Sequence, residues 1–176
     1  MAENKLYDMG MLYVRRGEYD KALPCLDALL EQNPNADDIL SARGIVYFVT
    51  GNYESALQDF TQLIAIKPDK AHAYFNRGMV LRRLSKHDEA IADFTKAVEL
   101  KPDYAEAYCD RGLTMMSTER HEEAIQDFAK ASQISPKIPK YYFYNAIAHA
   151  KSGKIEKAQA LHGQEYMLRM AAKAQQ

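Results

Sequence analysis

Residues 71–104 read AHAYFNRGMVLRRLSKHDEAIADFTKAVELKPDY and contain the pattern from which the fold can be predicted. Apolar residues recur at helical spacing in two blocks, which correspond to two amphipathic helices. Pro102 follows the second block, and a proline both ends a helix and pushes the residue before it into an extended conformation. This stretch therefore predicts two helices joined by a short turn.

The same pattern recurs with a period of 34 residues, marked by Pro34, Pro68, Pro102 and Pro136. Alignment on these prolines gives five repeats, which start at residues 3, 37, 71, 105 and 139. Position 8 of the repeat is small in all five: Gly10, Gly44, Gly78, Gly112 and Ala146. A fixed period of this length predicts an array of helical hairpins, each of which packs on its neighbours.

Glycine at position 8 is unexpected within a helix, because it is less favourable than alanine there by roughly 1 kcal/mol. Its recurrence predicts that the two helices of a hairpin approach each other closely at this point. We expect Gly78→Leu to destabilise the hairpin and Gly78→Ala to be mild. Gly17, Gly51 and Gly153 fall between the two helices and are expected to form the turn.

The repeat resembles the tetratricopeptide repeat (TPR). That family has a large residue at position 4, small residues at positions 8, 20 and 27, an aromatic residue at 24 and proline at 32. The third repeat matches it with Tyr74, Gly78, Ala90, Phe94 and Pro102. The resemblance implies an all-α fold, a right-handed α-solenoid of about five helix-turn-helix units that form a single domain over residues 1–176.

The end repeats depart from this pattern. The first has Leu29 at position 27, and the fifth has His162 at position 24 and Glu165 at position 27. A terminal repeat presents one face to water, so polar residues there are expected. We therefore predict that residues 154–171 form a capping helix at the C-terminal end.

The middle repeats share a charge pattern. Position 7 is Arg43, Arg77 and Arg111, and position 23 is Asp59, Asp93 and Asp127. The first and fifth repeats lack both the arginine and the aspartate. This joint presence and absence predicts an ion pair between the two helices of one repeat, with a structural role.

Composition excludes several classes of function. The 23 Lys and Arg residues are balanced by 24 Asp and Glu residues, unlike the basic excess of proteins that bind nucleic acid. Cys25 and Cys109 form no CxxC-type pair, so neither a disulfide framework nor a zinc knuckle is indicated. The sequence shows no apolar leader and no apolar run of the ~20 residues that would span a membrane. We expect a cytoplasmic protein.

The sequence shows no arrangement typical of catalysis, such as a Walker-type loop or HExxH. His87 and His121 share position 17, where a solvated helix start is preferred over a metal pair. Cys25 and Cys109 are interpreted as small packing residues. We therefore expect no catalytic, cofactor-binding or metal-binding residue, with an enzyme or a metal-binding protein as the minor alternative.

The resemblance implies a concave surface that is lined by the first helices and holds peptides, with positions 2, 5, 9, 12 and 13 facing it. These positions form one helical stripe, apolar along its floor and mixed in charge at its edge. The predicted binding residues are Tyr7, Met11, Ile45, Phe48, His72, Phe75, Met79, Arg82, Glu106, Leu113, Met116, Phe143 and Ile147. The expected partner is a protein or peptide with an apolar or amphipathic segment. Position 9 could instead be core.

Self-association is the alternative function. The first helix carries apolar residues on several sides and has no preceding repeat to cover them: Leu6, Tyr7, Met9, Met11, Leu12 and Tyr13. An exposed apolar surface of this kind favours contact with a second copy. A homo-oligomer, such as a homodimer, would then form through the first helix.

Overall fold

The structure, a computed structural model, describes residues 2–173, with side chains from residue 5 onward. These residues form ten α-helices and no β-strand. In chain order, α1 to α10 are Ala2–Arg16, Tyr19–Gln32, Asp37–Val49, Tyr53–Ile66, Ala71–Arg83, His87–Leu100, Ala105–Ser117, His121–Ile134, Pro139–Lys151 and Ile155–Lys173. The odd-numbered helices are the first helices of the five repeats, and α3, α5, α7 and α9 start at the predicted residues.

The contacts divide the chain into two compact units. Unit 1, Met1–Lys86, contains α1 to α5, and unit 2, His87–Gln176, contains α6 to α10. The division falls within the third repeat, between its two helices. The single domain inferred from the sequence stays a prediction.

The turn inside each repeat uses a left-handed residue at position 15. Gly17, Gly51 and Gly153 have φ of 71°, 83° and 76°, as expected of glycine turns. Ser85 and Glu119 occupy the same position in the third and fourth repeats with φ of 59° and 61°. The turn geometry is therefore kept even where a side chain makes it unfavourable.

The prolines at position 32 end the second helices as predicted. The residue before three of them leaves the helical region, with φ of −136° at Asn33, −131° at Lys67 and −130° at Ser135. Pro24 has no backbone N–H to donate to the helix. It lies inside α2, which nevertheless runs as one helix from Tyr19 to Gln32.

Each unit has its own apolar core. In unit 1 the largest fully buried side chains are Leu26, Leu40, Val46, Phe60, Leu63 and Val80. In unit 2 Phe128 and Tyr141 lie in a buried cluster with Ala124, Ala131 and Ala148. Position 24, predicted as the bulky residue of the hairpin, is thus a core residue in both units.

In the second and fourth repeats, the glycine at position 8 packs against the aromatic ring at position 24. A Cβ added to Gly44 would lie 2.9 Å from two ring carbons of Phe60, and one added to Gly112 would lie 2.9 Å from the nearest ring carbon of Phe128. The close approach predicted from the sequence is confirmed at these two glycines. At both positions even a methyl group would overlap the ring, whereas the mild effect expected of Gly78→Ala stays a prediction.

The predicted ion pairs are confirmed in the second and fourth repeats. Arg43 donates to both carboxylate oxygens of Asp59, at 2.9 Å from Nε and 2.8 Å from Nη2. Arg111 donates in the same way to Asp127, at 2.8 and 2.7 Å. Both aspartates are buried, and these pairs raise the pKa of each arginine above its ordinary value. The pair expected within the third repeat spans the two units and stays a prediction.

The fifth repeat ends in the long helix α10, close to the predicted residues 154–171, and α10 packs on α9. Its polar residues do not all face water as expected of a cap. Glu165 is 3% exposed and pairs with Arg169 and His162. The exposed face of α10 is instead partly apolar, with Tyr166 at 57% and Met167 at 67%.

Candidate functional site: two apolar stripes on the first helices

First helices lie side by side in each unit. In unit 1, α3 contacts both α1 and α5, and in unit 2, α7 contacts α9. The thirteen predicted binding residues all lie on these five helices, and each is half-buried or exposed. We call the apolar ones the unit 1 stripe (Tyr7, Met11, Ile45, Phe48, Phe75 and Met79) and the unit 2 stripe (Leu113, Met116, Phe143 and Ile147).

The unit 1 stripe combines packing with exposure. Tyr7, Met11 and Phe48 are half-buried and pack against the core of unit 1, while Ile45 is 40% exposed. The Phe48 ring lies 5.9 Å from the ring of Tyr53. These residues are held in place on their inner side and offer apolar surface on the outer side.

Charged groups lie at both ends of the unit 1 stripe. Asp38 accepts a hydrogen bond from the Tyr7 hydroxyl, which raises the pKa of that hydroxyl. At the C-terminal end of α5, the Arg83 guanidinium lies 5.9 Å from the Phe48 ring centre, and Arg82 Nη2 lies 3.5 Å from Met79 Sδ. The acid at one end and the arginines at the other make the stripe electrostatically asymmetric.

The unit 2 stripe is shorter. Leu113 and Met116 are half-buried and pack against the core of unit 2. Phe143 is 36% exposed, and its ring lies 5.5 Å from the Tyr144 ring in an edge-on arrangement. Phe143 and Ile147 also line an apolar depression of about 320 Å³ between α9 and α10.

The edge residues predicted at position 2, His72 and Glu106, are both exposed. Position 9 was also open to interpretation as core, but Met11, Ile45, Met79, Leu113 and Ile147 are all half-buried or exposed. Sequence reasoning left out Val49, which is 54% exposed at position 13 beside the predicted stripe. Val49 could have been identified from the sequence, because it is apolar and occupies a position that is assigned to the concave surface.

Two cysteines and a buried histidine lie on helices α2, α7 and α9. Cys25 and Cys109 are buried and are not disulfide-bonded, as expected of packing residues. His149 is buried, and burial together with the nearby Lys154 and Lys157 lowers the pKa of its imidazole. Among residues 2–173, no group of three or more metal-ligating side chains could hold an ion. Over the same residues, no helix is both long and apolar enough to cross a membrane.

Three tetratricopeptide repeat models match consecutive segments, residues 7–71, 71–104 and 105–138. They cover the residues that carry the glycines, the paired charges, all of the unit 1 stripe and half of the unit 2 stripe. The chain belongs to the tetratricopeptide repeat family. Among curated proteins, no relative matches.

Solved structures share the fold. A MamA fragment from Desulfovibrio magneticus RS-1 is 22% identical with a TM-score of 0.89, and the match covers 96% of each chain. A second MamA crystal structure is 23% identical with a TM-score of 0.87, covering 96% of this chain and 92% of that one. YrrB, described as a TPR protein with an unusual peptide-binding site, is 23% identical with a TM-score of 0.75, covering 94% and 88%. At these identities the likeness establishes the fold alone.

Proposed function

We propose that the protein is an interaction scaffold whose stripes bind an apolar or amphipathic segment of a partner protein. The observation that carries this proposal is that large apolar side chains on neighbouring first helices keep part of their surface exposed. A folded protein normally buries such side chains, and those left at the surface in groups mark binding sites. The role is binding rather than catalysis.

The unit 1 stripe supports an amphipathic ligand. Phe48 and Phe75 are aromatic anchors, and Met11 and Met79 are flexible apolar contacts that adapt to different side chains. Arg82 and Arg83 at one end favour acidic residues beside the apolar anchors of the ligand. The ligand class is therefore a segment with apolar residues on one side and acidic residues near one end.

The proposal can be tested by selecting binders from a displayed random peptide library. Selected peptides are expected to carry apolar residues at helical spacing, since such a segment lays one face on a groove. Phe48→Ser should abolish capture of these peptides. Gln58→Ser, an exposed change on the second helix of the same repeat, is the matched control and should leave capture unchanged. Peptides without apolar residues, or capture that survives Phe48→Ser, would contradict the proposal.

Self-association is a second candidate function, favoured by the surface of α1. Met9 is 38% exposed and Leu12 is 39% exposed, on a side of α1 that the unit 1 stripe does not use. We propose that this face of α1 contacts a second copy. Sedimentation velocity over a range of concentrations tests the idea, and a monomer at all of them would contradict it.

A further inference from the structure

A receiving surface for α1 can be identified from how the repeats pack within each unit. Position 10 of every later first helix is fully buried: Val46, Val80, Thr114 and Ala148 are each 0% exposed. Leu12 holds the same position in α1 and is 39% exposed. Position 10 is therefore exposed in α1, whereas the same position is buried in each later first helix.

The register of a repeat junction is fixed by a contact that is seen in both units. In unit 1, Nη1 of Arg43 at position 7 donates to Oδ1 of Asp27, at position 25 of the preceding repeat, at 2.7 Å. In unit 2, Nη1 of Arg111 donates to Oγ1 of Thr95, again at position 25 of the preceding repeat, at 3.0 Å. Position 7 of a following repeat therefore lies beside position 25 of the one before it.

Applied to the two ends of the chain, this register pairs two residues that fit each other. Position 7 of α1 is Met9, which is 38% exposed. Position 25 of α10 is Gly163, and a Cβ built there would meet no atom within 4 Å. The charge-assisted contact of the internal junctions is thus replaced at the ends by a methionine and a glycine with open space around it.

The face of α9 and α10 that a following helix would cover is open and apolar. At position 24, Phe60 and Phe128 are 1% and 0% exposed, but His162 is exposed. Beside it, Ile155 is 54% exposed and lines the depression of about 320 Å³ with Phe143. This end therefore has the room and the apolar surface that a further first helix needs.

Charged residues replace apolar ones at both ends of the chain, although Glu165 is buried and already pairs with Arg169. Position 3 is apolar and buried in every later first helix, but it is Lys5 in α1, where it is exposed. Position 27 is apolar in the first four repeats, but it is Glu165 in α10. In both units, position 27 and position 3 of the following repeat belong to one buried cluster, as Leu63 and Ala73 do in unit 1. The same register brings Lys5 of one copy toward Glu165 of another.

We propose that α1 of one copy docks on the α9–α10 face of a second copy and continues the repeat register across the junction, with Met9 over Gly163. The proposal rests on the self-association proposed above and identifies the surface that receives α1. Because two different surfaces meet, the contact is heterologous and leaves a free α1 and a free α9–α10 face at the ends. Association then produces chains or rings of copies rather than an isologous dimer.

The register is tested by cross-linking Met9→Cys of one copy to Gly163→Cys of another with a short bismaleimide. The two variants are mixed, each carrying a tag of different size. Wild type controls for the native cysteines, both of which are buried. The matched control pair is Arg15→Cys with Gly163→Cys, since Arg15 is exposed on the same helix but lies at position 13. A cross-linked heterodimer is expected with the first pair only.

Sedimentation supplies a second measurement. Leu12→Asp, at an exposed position, should weaken association by at least about tenfold while leaving the unfolding midpoint unchanged. Association without the Met9–Gly163 cross-link, or unaffected by Leu12→Asp, would overturn the register and leave self-association standing. A monomeric wild type at all concentrations would overturn both. Cross-linking that is equally strong with the control pair would also overturn the register.

Discussion

Alanine substitution at position 8 should destabilise the second repeat but leave the first nearly unchanged, although both glycines are helical and buried. At Gly44, a new Cβ would lie 2.9 Å from Cε1 and Cζ of Phe60. At Gly10, it would lie 3.2 Å from Cβ of Cys25 and 3.7 Å from Cδ2 of Leu26. Only the distance at Gly44 is shorter than real Cβ contacts permit.

The magnitudes follow from two opposing effects. Alanine gains roughly 1 kcal/mol of helix propensity over glycine at either position. Overpacking a well-packed core costs about 1–3 kcal/mol, and at Gly44 the obstacle is a fully buried ring that cannot move aside. Gly44→Ala should therefore destabilise unit 1 by up to about 2 kcal/mol. Gly10→Ala should be neutral within about 0.5 kcal/mol, because the weaker overlap offsets the propensity gain.

Urea unfolding followed by circular dichroism measures both variants, with hydrogen exchange of α3 and α4 as a local probe, since repeat arrays need not unfold in one step. Gly44→Ala combined with Phe60→Leu tests the cause. Removing the ring relieves the overlap, so the double variant should lose less stability than the sum of the two single losses. Equal midpoints for Gly44→Ala and Gly10→Ala, or additive losses in the cycle, would refute the reasoning.

Further predictions concern the ion pair, the turn and a buried histidine. Asp127→Ala should destabilise by ~3 kcal/mol because it leaves the guanidinium of Arg111 without its buried partner, and a double-mutant cycle with Arg111→Ala should be non-additive. Glu119→Gly should stabilise by about 0.5–1 kcal/mol in urea unfolding, since it removes a side chain from a left-handed residue. Burial and the nearby Lys154 lower the pKa of His149 from 6.5, so stability should fall as the pH drops below that value. His149→Gln should flatten this fall in unfolding measured between pH ~6.5 and ~5, and an unchanged pH dependence would contradict it.

Most of the fold could be predicted from the sequence because the same pattern recurs in five repeats. Proline spacing predicted the starts of α3, α5, α7 and α9, and the joint occurrence of arginine and aspartate predicted the Arg43–Asp59 pair. Ser85 and Glu119 were not identified as left-handed residues. Neither residue type prefers that conformation, and it is imposed by the turn that joins two packed helices.

The fifth repeat was harder to predict because its pattern is weaker. Glu165 was expected to face water, but its helix turns the carboxylate inward, where Arg169 compensates its charge. The exposed apolar surface of α10 was not predicted either, because Tyr166 and Met167 fall outside the positions that define the family pattern. The exposure of a side chain depends on what packs beside it. The sequence of a single helix does not contain that information.

For the stripes, too, the sequence predicted positions on each helix but not the contacts between helices. Helical spacing placed Ile45 and Phe143 at positions that the structure leaves 40% and 36% exposed. The hydrogen bond from Tyr7 to Asp38 and the position of Arg83 over Phe48 depend on the neighbouring helix. No spacing along a single helix predicts such contacts between repeats.

The most direct test of the proposed binding role compares two phenylalanines, Phe75 in the unit 1 stripe and Phe94, which is 0% exposed. A peptide selected on the wild type is titrated by fluorescence anisotropy, and the unfolding midpoint of each variant is measured in parallel. Phe75→Ser should lose about 2 kcal/mol or more of binding, roughly 30-fold, with stability reduced by no more than about 1 kcal/mol. Phe94→Ala should destabilise by ~3–5 kcal/mol. Full affinity in Phe75→Ser, or a loss of stability as large as that of Phe94→Ala, would contradict a binding role for the stripe.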